Sequence, residues 1–347
     1  RNHYLRLNNG ATTFNWQVWK ECSENPVYPQ GGTWIYDRAG WCPGMATDVK
    51  EYDITANVAS STSFDIDYGV TIATGTSNYI VNNQLVSYGA ANFNLDARVT
   101  EIMSPTDRVE YARENPMCNN PEIEIQNSGS TALTSATITY WINNSTTPLT
   151  YNWTGNLAFL QKATVSLPVT PTFWAGAQQT NTFHAVISSV NGAADQYAYN
   201  DTMRSTFILP QIFPNQFYVQ FYTNNAASES SYDIRDAAGV VLFQRNGMSN
   251  STVYKDTLTL NQGCYSFNVY DSDDDGISFF ANSDGNGSIQ LRNTSGGVIR
   301  SIAGDYGGGI KYQFNIATPV GVEETDIKSS VIVYPNPSHS IVNIETT

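Results

Sequence analysis

Apolar and polar residues alternate along most of this chain. In SFDIDYGVTI (63–72), Phe64, Ile66, Tyr68, Val70 and Ile72 take turns with Asp65, Asp67, Gly69 and Thr71, the pattern of a strand with one face buried. The same period returns in PEIEIQN (121–127), ATITYWI (136–142), TFHAVISSV (182–190), FYVQFYT (217–223), CYSFNVYD (264–271), SIQLRN (288–293) and KYQFNI (311–316). Asn, Gly, Asp or Pro turn residues bound each run. A helical period is confined to a turn or two around TDRVEYAREN (106–115). The pattern predicts an all-β chain built as successive β-sandwiches.

Breaks in the pattern place the joints. IMSPTDRVEYARENPMCNNP (102–121) interrupts the strands, ILPQIFPNQ (208–216) carries two prolines, and IATPVGVEETDIKSS (316–330) is acidic and rich in small residues. These divide the chain into 1–101, 102–209 and 210–317, a linker at 318–330, and a tail at 331–347 that opens with the strand-like VIVYPNP.

Composition narrows the function. Lys and Arg number 17 against 31 Asp and Glu, for a net charge of −14 over 347 residues, so phosphate backbones and anionic membranes are repelled and nucleic acid is excluded as a partner. Few charges and many aromatics suit an extracellular β-protein. No apolar run approaches the roughly 18 residues of a membrane-spanning segment. The chain opens at Arg1 without Met or signal peptide, which implies processing or a preceding segment. Four cysteines without C-x-x-C spacing argue against zinc or a redox pair. Cys22 and Cys42 share one Gly/Pro-rich loop, where a closing disulfide is favoured over free thiols; Cys118 and Cys264 read as unpaired and buried. His3, His184 and His339 are too dispersed to hold a metal together. His184 reads as a surface or edge position in its strand.

That loop, NPVYPQGGTWIYDRAGWCPG (25–44), concentrates turn residues and rigid aromatics around one charge pair. Gly31, Gly32, Gly40 and Gly44 permit tight folding, with Trp34 and Trp41 packed against it. Asp37 and Arg38 are adjacent, so in extended backbone they point opposite ways. A guanidinium held among aromatics suits a carboxylate or sugar oxygens, and indole faces suit pyranose rings. A salt-bridged Arg inside a stapled loop fits the same residue types.

HYLRLNNGATTF (3–14), CSENPVYPQGGTW (22–34) and DRAGWCPGM (37–45) resemble the carboxy-terminal jelly-roll half of the peptide:N-glycosidase F family, bacterial amidases that remove N-linked glycans from asparagine. The resemblance spans about 1–100 and is strongest over 1–45. It implies a jelly roll, a Cys22–Cys42 disulfide, and a glycan-binding cleft holding Arg38 and Trp41, with Trp34 and Asp37 beside them. The family's water-activating Asp and supporting Glu have no counterpart between Arg1 and Thr347. Arg38 is no base, neither Asp37 nor Asp48 is assigned that role, and no catalytic residue is named. His3 matches a motif histidine and reads as structural.

The second region is similar to immunoglobulin-like spacer modules of secreted bacterial proteins. The third, a second jelly-roll-like β-domain, contains YDSDDDGISFFANSDGNGS (270–288). Asp271, Asp273, Asp275 and Gly276 give D-x-D-x-D-G, the start of a calcium loop in which the Ile277 carbonyl adds a ligand and Asn282 or Asp284 replaces the usual closing Glu. An acidic solvated turn is the other reading. The tail SVIVYPNPSHSIVNIE (330–345), with its Tyr334-Pro335-Asn336-Pro337 turn, resembles the opening of the type A sorting domain of the Bacteroidota type IX secretion system. That resemblance implies partnership with the secretion machinery, and release or attachment at the cell surface. Two function classes follow. One is a secreted or cell-surface modular protein whose jelly roll binds glycans or glycoproteins or serves as structure; the other is part of a glycan-releasing amidase whose catalytic carboxylates lie upstream of Arg1.

Overall fold

The computed structural model describes residues 2–10, 12–23, 25, 38–39, 42, 48–59, 62–71, 80–113, 115–170, 172–174, 180–316, 332–334 and 343–345. Its strands form antiparallel sheets almost throughout, as the alternation predicts. In the first region Asn2–Leu7 is the middle strand, flanked by Thr12–Gln17 and Ile66–Val70. The hairpin between the first two strands turns at Asn8 and Asn9, whose φ values of 53° and 50° suit the short polar side chain. Trp19–Lys20 pairs with Arg38–Ala39, Lys20 opposite Arg38. Beside that pairing, the Cys22–Cys42 disulfide closes the loop as expected.

The second region is a sandwich of two sheets. One orders Lys162–Ser166, Glu122–Asn127 and Ala97–Ser104; the other orders Thr202–Phe207, Asn181–Val190, Leu133–Ile142 and Leu149–Leu157. Ile123, Ile125, Ile138, Tyr140, Phe183 and Ile187 fill the space between them, each at an in-phase position of its strand. The joint expected after residue 101 falls inside Ala97–Ser104, where Ala97, Val99 and Ile102 all join this core. Register shifts at Val99/Glu101 and Ile102/Ser104 break the alternation, so the strand has no clean period in sequence. The helical hint nearby is a single 3-10 turn, Val109–Tyr111. His184 lies on an interior strand rather than at an edge, half-buried and stacked on Trp141 with ring centroids 4.8 Å apart.

The third region packs a five-stranded sheet on a four-stranded one. The first orders Ile212–Phe213, Gly309–Ile316, Gly263–Asp271, Ser230–Asp236 and Val241–Arg245; the second orders Val253–Thr259, Gln216–Tyr222, Ser288–Asn293 and Val298–Ile302. Phe217, Phe221, Phe267 and Phe314 are fully buried between them. Ile332–Tyr334 and Asn343–Glu345 form an isolated antiparallel pair.

The cysteines outside the N-terminal loop correct the sequence reading. Cys118 and Cys264 are disulfide-bonded to each other across 146 residues, joining the second region to the third. Neither is a free thiol; Cys264 is only partly buried, whereas Cys118 is buried as expected, at 3% exposed. Its partner is brought by tertiary contact: the Cys118 backbone N–H donates to Gln313 Oε1 on the neighbouring sheet at 2.9 Å. A single cation joins all three regions. Arg113 donates to the carbonyls of Ser23 (3.0 Å) and Asn25 in the first region and of Tyr306 (3.0 Å) and Gly309 in the third. There the loop before Gly309–Ile316 presses on the turn after Cys22. Gly307 has φ 66°, and a Cβ at that position would overlap the Ser23 carbonyl, so only glycine fits.

Candidate functional site

Strand phase explains why Asp271 is buried. Tyr265, Phe267, Val269 and Asp271 lie two apart on Gly263–Asp271 and share the core-facing side. The last of them carries a carboxylate to the end of a hydrophobic column, 4% exposed. Sheet register places Ser230 opposite it, and Glu229, one residue earlier, reaches the same spot. The loop then turns back through Asp274 (φ 66°) and Gly276 (φ 76°), returning Asp275 to the interior, 2% exposed. Glu229, Asp271 and Asp275 bring carboxylate oxygens within 4.8 Å of one another.

The three acids are held but not neutralised. Asp271 Oδ1 accepts from the backbone N–H groups of Asp273 (3.2 Å) and Asp275 (3.3 Å), and Ser230 Oγ donates to Oδ2 at 3.4 Å. Asn282 Nδ2 donates to Asp275 Oδ2. Asp275 Oδ1 and Glu229 Oε2 are buried with no hydrogen-bond partner. Burial, then the charge of Asp271, pushes the Glu229 carboxyl up to about 7; burial, then Asp275, pushes Asp271 up to about 6. Burial also raises Asp275. Buried hard oxygens that repel one another, two of them without a donor, are what a bound divalent cation would satisfy.

Of the expected calcium set, the fold therefore gathers Asp271 and Asp275. Asp273 is exposed, and Asp284 is half-buried with its N–H donating to Asn282 Oδ1 at 3.2 Å. Asn282 supports Asp275 as its donor rather than closing the loop itself. Ile277 is fully buried, and its carbonyl accepts from Gly287 N–H at 2.8 Å. Glu229 escaped the sequence reading because its place comes from cross-strand register; no local motif announces it.

This acidic loop also braces the seat of the N-terminal region. The backbone N–H groups of Ile277 and Ser278 donate to the Gly304 carbonyl at 2.8 and 3.2 Å, and Asp271 N–H donates to the Gly308 carbonyl at 2.9 Å. The 304–309 segment so held is the one that Arg113 and Gly307 press against Ser23.

Trp34, Asp37 and Trp41 lie outside the described residues. Arg38 is placed by its backbone in the two-residue pairing with Trp19–Lys20. Asp48 is ion-paired with Lys20 Nζ (3.1 Å) and Lys50 Nζ (3.2 Å), a poor setting for a general base. His3 is 3% exposed and hydrogen-bonds through Nδ1 with the Tyr68 hydroxyl, beside Trp16. Its burial lowers its pKa, keeping the ring neutral inside the sheet.

Residues 1–88 match the family model described as Peptide-N-glycosidase F, C terminal. Over 70 residues the chain is 41% identical to the peptide-N(4)-(N-acetyl-beta-D-glucosaminyl)asparagine amidase F of Elizabethkingia miricola, a stretch covering 20% of this chain and 19% of that protein. The N-terminal region is thus similar to the C-terminal domain of that amidase. The chain spans about a fifth of the length of the curated relative it matches.

Proposed function

We propose that this chain is a secreted or cell-surface modular protein in which the N-terminal, peptide-N-glycosidase F-like region docks N-linked glycans or glycoproteins. The match of residues 1–88 to that family's C-terminal domain carries the reading. Arg38 supplies donors to sugar oxygens, with Asp37 beside it, and Trp34 and Trp41 supply stacking faces. The two sandwiches that follow serve as a stiff mount. Their support is the Arg113 contacts, the Cys118–Cys264 bond and a calcium ion held by Glu229, Asp271 and Asp275. Two disulfides favour an oxidising, extracytoplasmic setting. No helix among the described residues is long and apolar enough to cross a membrane. The sequence of the 330–345 tail favours export by the type IX secretion machinery.

The likeness to the Elizabethkingia miricola amidase favours a second reading, in which this region contributes the docking half of a glycan-releasing amidase. In that reading the catalytic carboxylates lie upstream of Arg1, and Arg38, which stays protonated, does not act as the base. Incubating the protein with an N-glycopeptide separates the readings. Binding without change favours docking, conversion of the glycosylated Asn to Asp with glycan release favours the amidase, and neither outcome leaves only a scaffold.

A further inference from the structure

A second group of carboxylates lies in the second sandwich, away from the D-x-D-x-D-G loop. Asp96 immediately precedes the strand Ala97–Ser104, while Asp195 and Asp201 come from the connection between Asn181–Val190 and Thr202–Phe207. Folding pins these segments together. Asp195 accepts from the backbone N–H groups of Ala97 (2.8 Å) and Tyr197 (2.7 Å). Gln196 Oε1 accepts from those of Asn94 and Leu95, both at 2.9 Å, and Asn200 Nδ2 donates to Asp96 Oδ1 at 3.1 Å. The result brings one oxygen from each of the three acids within 4.8 Å of the others.

Burial makes this closeness costly. Asp96 is 5% and Asp201 6% exposed, and Asp201 Oδ1 is shut away from water with no hydrogen-bond partner. The Asn200 amide oxygen is buried and unpartnered too. Among the described residues no Lys, Arg or His forms an ion pair with any of the three acids. Negative charge therefore accumulates at a largely desolvated cluster with no cationic side chain paired to it among the described residues. We propose that Asp96, Asp195 and Asp201 form a second divalent-cation site, for a hard cation such as calcium, where the second region begins. An all-oxygen donor set without thiolate or imidazole selects a hard cation over zinc or copper. Burial, with the charges of Asp195 and Asp96, pushes the Asp201 carboxyl up to about 7, so the pocket takes either a cation or a proton at neutral pH. The ion would clamp the 195–201 connection onto the chain just as it leaves the N-terminal region.

The test is calcium stoichiometry by equilibrium dialysis on the full chain, after chelation and desalting, for wild type, Asp201→Asn, Asp275→Asn and the double variant. Asp201→Asn keeps the side-chain shape while removing the charge. The site requires one calcium fewer per chain in Asp201→Asn than in wild type, and the same deficit between the double variant and Asp275→Asn. Because the Asp275→Asn arm reads the other cluster, failure of that loop to bind leaves this comparison intact. Equal stoichiometry with and without Asp201→Asn, in protein shown to be folded by circular dichroism, overturns the site and leaves a shared proton. If Asp201→Asn does not fold, Asp96→Asn gives the same readout under the same criterion.

Discussion

Removing the Cys118–Cys264 bond tests whether the second and third regions act as one mount. The chain-entropy relation for a loop of 146 residues gives a ceiling of about 5 kcal/mol at room temperature, against about 3 kcal/mol for the 20-residue separation of Cys22 and Cys42. The third region has its own core, so it can unfold while the second stays folded. The relevant loop then runs from the end of Thr202–Phe207 to Cys264, and the ceiling falls only to about 4 kcal/mol because the dependence is logarithmic. Measured bonds commonly deliver less than the ceiling, so about 2–4 kcal/mol is expected. That is a large share of the ~5–15 kcal/mol that holds a domain folded. The assay is scanning calorimetry of wild type and the Cys118→Ala/Cys264→Ala variant, with circular dichroism confirming that the β-structure is retained. The variant should lose coincidence between the transitions of the two regions, with the third melting at least ~10 °C earlier. An unchanged melting profile would refute the reasoning.

The remaining predictions follow from individual contacts. Gly307→Ala puts a methyl group into the Ser23 carbonyl at a backbone angle disfavouring L-residues, so it should unseat the N-terminal region and hasten limited proteolysis between the first and second regions; wild-type cleavage rates would contradict the close approach. In chelator, Asp271 and Glu229 have folded pKa values raised to about 6 and 7, above roughly 4 unfolded. Their contribution to the stability of the third region is therefore greatest below pH 4 and lost as pH rises to about 7. Saturating calcium should reverse that loss and raise the thermal midpoint at pH 7.5, and a midpoint unmoved by calcium would count against the site. Asp275→Asn should abolish most of the calcium-dependent shift while leaving the protein folded.

Residues whose role is fixed by their own strand were legible in the sequence, and residues whose role is fixed by a distant strand were not. Phe217, Val219 and Phe221 announce the core face of Gln216–Tyr222 by alternation, and Asp271 can be read as the last member of such a column. Ala97–Ser104 hid behind its two register shifts, and Ser230–Asp236 behind its polar composition: Asp233 is buried there against Arg235, Asn268 and Tyr270 rather than among apolar side chains. Glu229 reaches Asp271 through sheet pairing, and Cys118 reaches Cys264 through the packing of two sandwiches, relations that linear spacing does not carry. Asp96 likewise meets Asp195 and Asp201, which share one connection, only through the fold. The aromatic loop at 25–44 is recognisable from its motif, whereas its chemistry belongs to side chains of which the described structure gives only the Arg38 backbone pairing.

The most direct measurement is binding of a defined N-glycopeptide to the full chain by isothermal titration, in parallel with Arg38→Ala and Trp41→Ala, each checked for unchanged melting. Saturable binding by wild type, weakened at least tenfold by either substitution, is the predicted result. Binding equal in all three proteins, or absent from folded wild type, would contradict a glycan-docking role for the N-terminal region.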